Sequence, residues 1–235
     1  MKLAIMQPYF FPYLGYFSLI QNTDQFILLD DVQFKRHGWI ERNRILKPNE
    51  GWQYINVPLE KHSREILIKD IRIRKTENLK VMILKQLEHY KKSAPYFSEV
   101  IAFLNKVFNK EFDSIVKLNA HLLTESCNYL EIKFNYQIFS EMNLEIKPIN
   151  APGDWALNIS KAMNANEYLN PIGGIHIFDE EAFKAAKIKL SFLKLSQPNY
   201  MQGNRLFEPG LSIIDVLMNC GIERTKELIN QFELV

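Results

Sequence analysis

The sequence predicts an α/β fold built on a mostly parallel, Rossmann-like sheet. Two short apolar runs, Lys2 to Gln7 and Phe26 to Leu29, are separated by a helix-like segment that is too long for a hairpin turn. Further along, short strand-like and helix-like segments alternate, a spacing typical of parallel strands joined by helices. Because 235 residues with 47% hydrophobic content can bury a large core, we expect one domain over residues 1–235.

The next part of the chain predicts two more strands and then helices. Apolar residues alternate from Trp52 to Leu59 and again from Glu65 to Arg74. We expect this piece, roughly residues 45–75, to extend a sheet or to form a hairpin-like insertion over the first site. Apolar residues at helical spacing then predict a helical subdomain over about residues 78–130. Its three helices are expected at residues 78–90, 96–108 and 112–129.

The second half of the chain continues the alternation of strands and helices. We expect strands at Glu131 to Phe139, Glu167 to Leu169 and Ile188 to Leu193, with helices at Trp155 to Asn164 and ending at Phe183 to Ala186. A last helix is predicted within residues 206–221. Pro209 and Gly210 open it, and Gly221 stands where a C-terminal cap belongs.

Charge and cysteine usage exclude several classes of protein. A net charge of +2 gives no overall attraction to nucleic acid or anionic lipid. No apolar run reaches the length of a membrane span, and the chain begins with a strand and not with a signal peptide, so we expect a cytoplasmic protein. Cys127 and Cys220 match no metal spacing, which favours buried free thiols. Since no two histidines with a carboxylate show metal spacing either, no metal site is expected.

Candidate site residues crowd into the stretch that follows the second apolar run. Carboxyl ends of parallel strands share one edge of a sheet, so this stretch should lie beside the loop after the first strand. Asp30, Asp31 and His37 are the candidate catalytic residues, as acids or bases. A strand-terminating turn, or an ion pair with Arg42 or Arg44, is the structural alternative for Asp30. The candidate binding residues of the two segments are Gln7, Tyr9, Tyr13, Tyr16, Gln33, Trp39, Arg42, Asn43 and Arg44.

These binding residues suit an anion attached to a ring. Arg42 and Arg44 offer forked donors for phosphate or carboxylate, and on an extended segment they point the same way. Trp39 and Tyr9 offer flat faces for a base or a sugar. A solvated surface is the alternative interpretation of the arginines.

A second candidate loop, Asn170 to Gly174, follows the strand predicted at Glu167. Gly173 and Gly174 would allow the backbone to approach a ligand closely, or allow positive φ. Asp215 stands in the otherwise apolar last helix, where a buried carboxylate must be paired. It either ties the helix to an arginine of the first loop or faces the cleft from the opposite wall.

Several segments together resemble the WbqC-like family of bacterial proteins. They are MQPYFFPYLGYF, DDVQF followed by GW and RNRI, APYF, YLNPIGG and LSIIDVLMNCG. The genes of this family often lie among those for O-antigen and other surface polysaccharides. The resemblance implies a glycyl or other amino-acyl transferase that acts on sugars.

The opening of the chain also looks like that of nucleotidylyltransferases with the HIGH motif, such as pantothenate synthetase. In those enzymes two histidines of a His-x-Gly-His loop contact phosphates, whereas Tyr13 and Tyr16 stand here. A phenol carries no positive charge at neutral pH, which counts against adenylyl transfer and leaves the fold likeness standing.

The resemblance and the candidate residues together give two functional expectations. The first is a transferase that adds an amino-acyl or acyl group to a nucleotide-activated sugar for surface polysaccharide. The second is a non-catalytic protein that binds nucleotide sugar or scaffolds other glycan enzymes. The sequence identifies no cofactor, no donor and no oligomeric state.

Overall fold

The central feature is a six-stranded sheet in a computed structural model that describes residues 1–75, 78–196, 198–203 and 206–235. Its strands are β1 (Lys2–Met6), β2 (Gln25–Leu28), β5 (Tyr136–Ile138), β6 (Glu167–Pro171), β7 (Lys189–Leu195) and β8 (Phe232–Leu234). They lie in the order β5-β2-β1-β6-β7-β8. Two further strands, β3 (Arg42–Leu46) and β4 (Trp52–Asn56), form a separate antiparallel ribbon.

Strand pairing confirms the predicted fold class. β1 is parallel to β2, with Ala4 opposite Phe26, and parallel to β6 on its other side, with Leu3 opposite Tyr168. The pairs β2–β5 and β6–β7 are also parallel, and β8 is antiparallel to β7. The sheet is therefore mostly parallel, and the first two apolar runs are neighbouring parallel strands as predicted.

Helices cover both faces of the sheet. They are α1 (Leu14–Gln21), α2 (Leu79–Leu87), α3 (Phe97–Val107), α4 (Ile115–Tyr129), α5 (Asp154–Ala162), α6 (Glu180–Ala185) and α7 (Ile213–Ile229). Alternate strand residues face opposite sides, so Ala4 and Phe26 pack with α1 and α7, whereas Ile5 and Ile27 pack with α5 and α6. The three helices expected between residues 78 and 130 are confirmed as α2, α3 and α4, with shorter bounds.

Among the described residues, no helix combines the length and apolar character that crossing a membrane requires. Both cysteines are buried free thiols, as predicted.

The strand predicted at Glu65 to Arg74 is wrong. Ile68–Asp70 forms a short 3-10 turn, and Ile68, Ile71 and Ile73 are all buried. Within the described part of the chain, this segment pairs only through single bridges to three separate regions, so no ladder extends from it. These bridges are Gln33–Leu67, Leu59–Ile73 and Arg72–Ser114.

Two other predicted boundaries differ from the structure. The strand expected from Glu131 is limited to β5, because Glu131 has a φ of 56° and β5 pairs with β2 through only three residues. Gly221 interrupts α7 with φ 67° and ψ −173°, a conformation that breaks the helical path, but the chain returns to helix and continues to Ile229.

Candidate functional site

The candidate site lies at the carboxyl edge of the sheet. The chain leaves β1 for β2 on one side, and β6 later pairs with the other side of β1. Open α/β sheets bind ligands where the strand order reverses in this way. The residues after β2 and those after β6 therefore share one edge, about 10 Å apart across β1.

The loop after β1 is held in place by buried side-chain amides. Asn43 donates hydrogen bonds to the carbonyls of Phe10 and Phe11 at 3.0 and 2.9 Å. Asn119 of α4 donates to the carbonyl of Pro8 at 2.8 Å. Both amides are buried, so Asn43 positions the loop rather than facing solvent. Asn119 was not predicted, because only the folded chain brings α4 to this loop.

Ser212 completes the attachment of the same loop. Its hydroxyl donates to the carbonyl of Phe11 at 2.8 Å and also caps the start of α7. Phe11 is fully buried with a φ of 39°, a strained conformation that persists because its surroundings fix it. The loop is therefore a rigid wall of the site.

The three tyrosines near this loop differ in accessibility. Tyr16 is fully buried and donates to the carbonyl of Gln7 at 2.8 Å. Tyr9 and Tyr13 are partly exposed, and a Cβ at residue 15 would displace the ring of Tyr13. Burial raises the pKa of all three phenols, well above the usual value for Tyr16, so each stays protonated at neutral pH. Tyr9 and Tyr13 can therefore reach a ligand as hydrogen-bond donors, and Tyr16 supports the loop.

The two carboxylates after β2 have different surroundings. Asp30 is buried and accepts hydrogen bonds from the backbone N–H and the hydroxyl of Ser140, at 2.9 and 2.6 Å. Asp31 is about one-third exposed and forms an ion pair with Lys69, and the hydrogen bond to Asp31 raises the pKa of Lys69. Neither carboxylate pairs with Arg42 or Arg44, so the ion pair considered from sequence is not formed.

His37 and Gln33 lie on the exposed outer part of the site. The His37 side chain is largely in solvent, and its carbonyl accepts a hydrogen bond from Arg42 at 2.6 Å. Gln33 donates to the carbonyl of Arg64 at 2.8 Å. The Glu41 carboxylate accepts from the His37 backbone N–H and lies 3.8 Å from the His37 ring nitrogen Nδ1. His37 therefore contributes to the site mainly through its backbone.

The β3–β4 ribbon places two arginines against aromatic rings. The guanidinium carbon of Arg42 lies 3.7 Å from the centre of the Tyr54 ring. That of Arg44 lies 5.5 and 5.2 Å from the ring centres of Trp39 and Trp52. We call these five residues the arginine–aromatic face. Trp52 and Tyr54 were not predicted as site residues, although their alternation on a strand paired with β3 places them on the same side as the arginines.

The positive charges of the two arginines are not neutralised by a carboxylate of the described chain. Within the described chain, no carboxylate lies within 4 Å of either guanidinium, and both Nε atoms are buried without a hydrogen-bond partner. Arg44 also donates to the carbonyls of Pro209 and Gly210 at 3.3 and 3.0 Å. A buried donor without a partner is uncommon in proteins and needs an explanation. The face can therefore accept an anion.

The second predicted loop is largely satisfied by its own contacts. Asn170 is buried, accepts from the hydroxyl of Tyr168 at 3.1 Å and donates to the carbonyl of Pro171 at 2.9 Å. A Cβ at Gly174 would lie 2.4 Å from the Asn170 amide nitrogen, whereas one at Gly173 would meet no atom within 4 Å. Neither glycine has a positive φ, so the prediction that these glycines allow a positive φ is wrong. Of the two glycines, Gly173 is therefore the one with open space beside it for a ligand.

Asp215 lies in the core beneath the ribbon. It accepts hydrogen bonds from the hydroxyls of Tyr90 and Tyr200 at 2.5 and 2.7 Å and from Gln202 at 3.3 Å. Burial and the neighbouring carboxylate raise the pKa of both tyrosines. Neither arginine of the first loop is bonded to Asp215, and its carboxylate is fully buried, so it joins α7 to the segments around it.

No group of three or more histidine, cysteine, aspartate or glutamate residues suited to a metal ion occurs in the part of the chain that the structure describes.

Comparison with known proteins gives the family of the chain. The WbqC-like protein family matches residues 7–227. A protein of Mycobacterium tuberculosis (strain ATCC 25618 / H37Rv), named Uncharacterized protein Rv1507c, is 30% identical over 225 residues, which cover 94% of this chain and 95% of that protein. No solved structure shows a significant match. The family match spans the loop after β1, the arginine–aromatic face and all but the last two residues of α7, and the chain belongs to the WbqC-like protein family.

Proposed function

We propose that the protein binds a nucleotide-activated sugar and transfers an amino-acyl or acyl group to it, for surface polysaccharide. The observation that carries this proposal is the arginine–aromatic face, where two guanidinium groups without a carboxylate partner among the described residues lie among three aromatic rings. A nucleotide sugar combines the two features that such a face recognises, a charged diphosphate and flat rings.

The spacing of the two arginines suits a diphosphate. Arg42 and Arg44 alternate on β3, so their side chains leave the ribbon on the same side, about 7 Å apart along the strand. Guanidinium forks bind phosphate oxygens through two parallel hydrogen bonds, which fixes the orientation as well as the charge. The Nε–H of each arginine has no hydrogen-bond partner among the described residues. We therefore assign the diphosphate to this pair.

Trp39 is the aromatic residue of the face that is best placed for a base or sugar ring. It is 39% exposed, which is high for an indole, and its backbone carbonyl is fixed by a hydrogen bond from Phe10 at 2.8 Å. A fixed backbone with an exposed ring supplies contact area at low entropic cost. Tyr9 precedes Phe10 in the same loop and is partly exposed, so its phenol can add a hydrogen bond.

Acyl transfer needs an acceptor for the proton that the attacking amine or hydroxyl loses. Asp30 is buried and bonded twice to Ser140, so its carboxylate holds the turn after β5. Asp31 follows it and is accessible. In this proposal the amine or hydroxyl of the sugar attacks the acyl carbon of an activated donor, the bond to the donor's leaving group breaks, and Asp31 accepts the proton. Asp30 positions the segment that carries Asp31.

Binding without chemistry is the second candidate function, and the surroundings of the predicted catalytic residues favour it. Asp30 is buried, Asp31 is paired with Lys69, and the His37 ring lies in solvent. A protein that only binds or scaffolds needs none of these groups to be free. Asp31→Asn separates the two functions, because a transferase should lose its function in vivo while a binding protein should keep it.

Calorimetric titration with a panel of nucleotide sugars tests the binding site. Replacing Arg44 with Lys keeps the charge but loses the fork, so affinity should fall by about 1–3 kcal/mol. Arg224→Lys is the matched control, since Arg224 is exposed on α7 and paired with Glu227. Unchanged affinity in Arg44→Lys for every nucleotide sugar that binds the parent, together with a lowered melting temperature, would show that Arg44 holds the fold and not the ligand.

A further inference from the structure

A groove of about 550 Å³ lies between the start of α2 and the connection from α3 to α4. Its lining includes the apolar side chains of Leu79, Phe108 and Phe112, and the lysines Lys75, Lys80 and Lys110. None of its lining residues belongs to the arginine–aromatic face. We call it the basic groove, and its volume lies in the range of small-molecule sites.

The apolar side chains form the floor of the basic groove. Leu79, Phe108 and Phe112 are partly buried and pack against the main hydrophobic core, so each still presents surface to the groove. Phe108 also contacts the ring of Phe11 at 6.0 Å between centres, which joins the floor to the rigid loop after β1. A floor fixed from behind in this way stays apolar and open.

Positive charge is in excess at the rim. Among the described residues, Lys80 donates only to uncharged groups, the carbonyl of Asn105 and the amide oxygen of Asn109, both at 3.2 Å. Lys75 and Lys110 are exposed, and no carboxylate of the described chain lies within 4 Å of any of the three lysines. Glu111 is the single acidic residue among the described residues that line the groove.

The amino end of α2 adds to this positive potential. Asn78 caps the helix by accepting from the backbone N–H of Val81 at 3.2 Å, and the N–H groups of Leu79 and Lys80 precede the first intrahelical bonds. Helix amino ends carry partial positive charge and favour anions. The lysines and the helix end therefore act on the same space.

From this geometry we infer that the basic groove binds an organic anion with an apolar body. Its phosphate or carboxylate head lies among the three lysines, and its chain or ring lies on the floor formed by Leu79, Phe108 and Phe112. This site goes beyond the proposed function and does not depend on it. Binding combines the attraction of the lysines for the charged head with the burial of the apolar chain. A ligand with only the head or only the chain should therefore bind much more weakly.

Four small probes test both halves of the site by calorimetry, each used below its micellar concentration. Octyl phosphate should bind, whereas ethyl phosphate, which lacks the chain, and octyl glucoside, which lacks the charge, should each bind at least tenfold more weakly. Octanoate reports whether the head must be phosphate: binding equal to octyl phosphate assigns the site to anions in general, and weaker binding assigns it to phosphates. If ethyl phosphate bound as tightly as octyl phosphate, the apolar floor would contribute nothing to binding and this part of the proposal would be wrong.

Two variants locate the binding. The double substitution Lys75→Gln with Lys110→Gln leaves the fold untouched, because both side chains are exposed, and should weaken octyl phosphate at least tenfold. Lys161→Gln, an exposed lysine on α5, is the control and should bind like the parent. Unchanged affinity in the double variant, or a loss caused instead by Arg44→Lys, would overturn the assignment. We expect no cosedimentation with phosphatidic acid vesicles. If the protein did cosediment with them, its ligand would be a lipid surface and the proposal of a free anion would be wrong.

Discussion

Replacing Gly221 with Ala should destabilise the protein through the backbone and through one contact. Gly221 interrupts α7 with φ 67° and ψ −173°, a region that residues with a side chain rarely occupy. An added Cβ would also lie 2.6 to 2.8 Å from three ring atoms of Tyr96, inside any normal contact distance. Both effects arise from a single methyl group.

The expected magnitude follows from these two contributions. Holding alanine in this part of φ/ψ space costs about 1–3 kcal/mol. Tyr96 is 40% exposed, so its ring can turn toward solvent, but it then loses part of its burial, about 1–2 kcal/mol. The free energy of unfolding should therefore fall by about 2–5 kcal/mol, a large share of the stability of an ordinary domain.

Urea denaturation followed by circular dichroism measures this change, and each kcal/mol should lower the melting temperature by about 2–4 °C. Gly173→Ala is the matched control: the same methyl group meets no atom within 4 Å, and φ is not positive there. Its stability should stay within about 0.5 kcal/mol of the parent. A loss below about 0.5 kcal/mol in Gly221→Ala would show that α7 adapts at this point and would refute the reasoning.

Three further predictions concern the loop, the ion pair and a thiol. Asn43→Ala removes both buried hydrogen bonds to the loop after β1 and should lower the free energy of unfolding by about 2–4 kcal/mol in urea denaturation. A change below about 0.5 kcal/mol would show that these two hydrogen bonds are not needed to hold the loop. Asp31 raises the pKa of Lys69, so their pair contributes stability below the unfolded pKa, near 10.5, and loses it as pH rises through the folded value. The stability difference between the parent and Asp31→Asn should accordingly shrink above pH 10.5, and a constant difference up to pH 12 would contradict this origin. Burial, helped by Asp215, raises the pKa of the Cys220 thiol to about 12, so iodoacetamide at pH 8 should label it far more slowly in native protein than in urea, as mass spectrometry can measure.

The sheet could be predicted wherever a strand carries its own signal. β1 and β2 are apolar runs buried on both faces, which is the pattern of strands inside a parallel sheet. The stretch from Glu65 to Arg74 shows an equally clear alternation, but no strand in the described part of the chain pairs with it continuously. Alternation reports that every second residue is buried, and a turn packed between loops satisfies that condition as well as a strand does.

The placement of the candidate carboxylates after β2 could also be predicted, but their hydrogen bonds could not. Asp30 and Asp31 stand where β2 ends, which the apolar run shows directly. The partner of Asp30, Ser140, lies 110 residues away and arrives only because β5 pairs with β2. Asn43 has the polar character of a ligand-binding residue, yet both of its donated hydrogen bonds hold backbone carbonyls. Residue type alone does not distinguish a group that contacts a ligand from one that fixes the loop beside it.

The arginine–aromatic face shows how a folded protein can hold a charge without cancelling it. A carboxylate beside Arg44 would fix the guanidinium equally well but would neutralise it, and an incoming phosphate would then have to displace that partner. Aromatic rings attract the cation by about 0.5–2 kcal/mol without neutralising its charge, so the N–H donors stay available. Arg44 uses two of them on the carbonyls of Pro209 and Gly210, which are neutral, and its net charge is preserved. Because Trp39 and Trp52 come from different segments, the charge becomes fixed in direction only when the β3–β4 ribbon has formed.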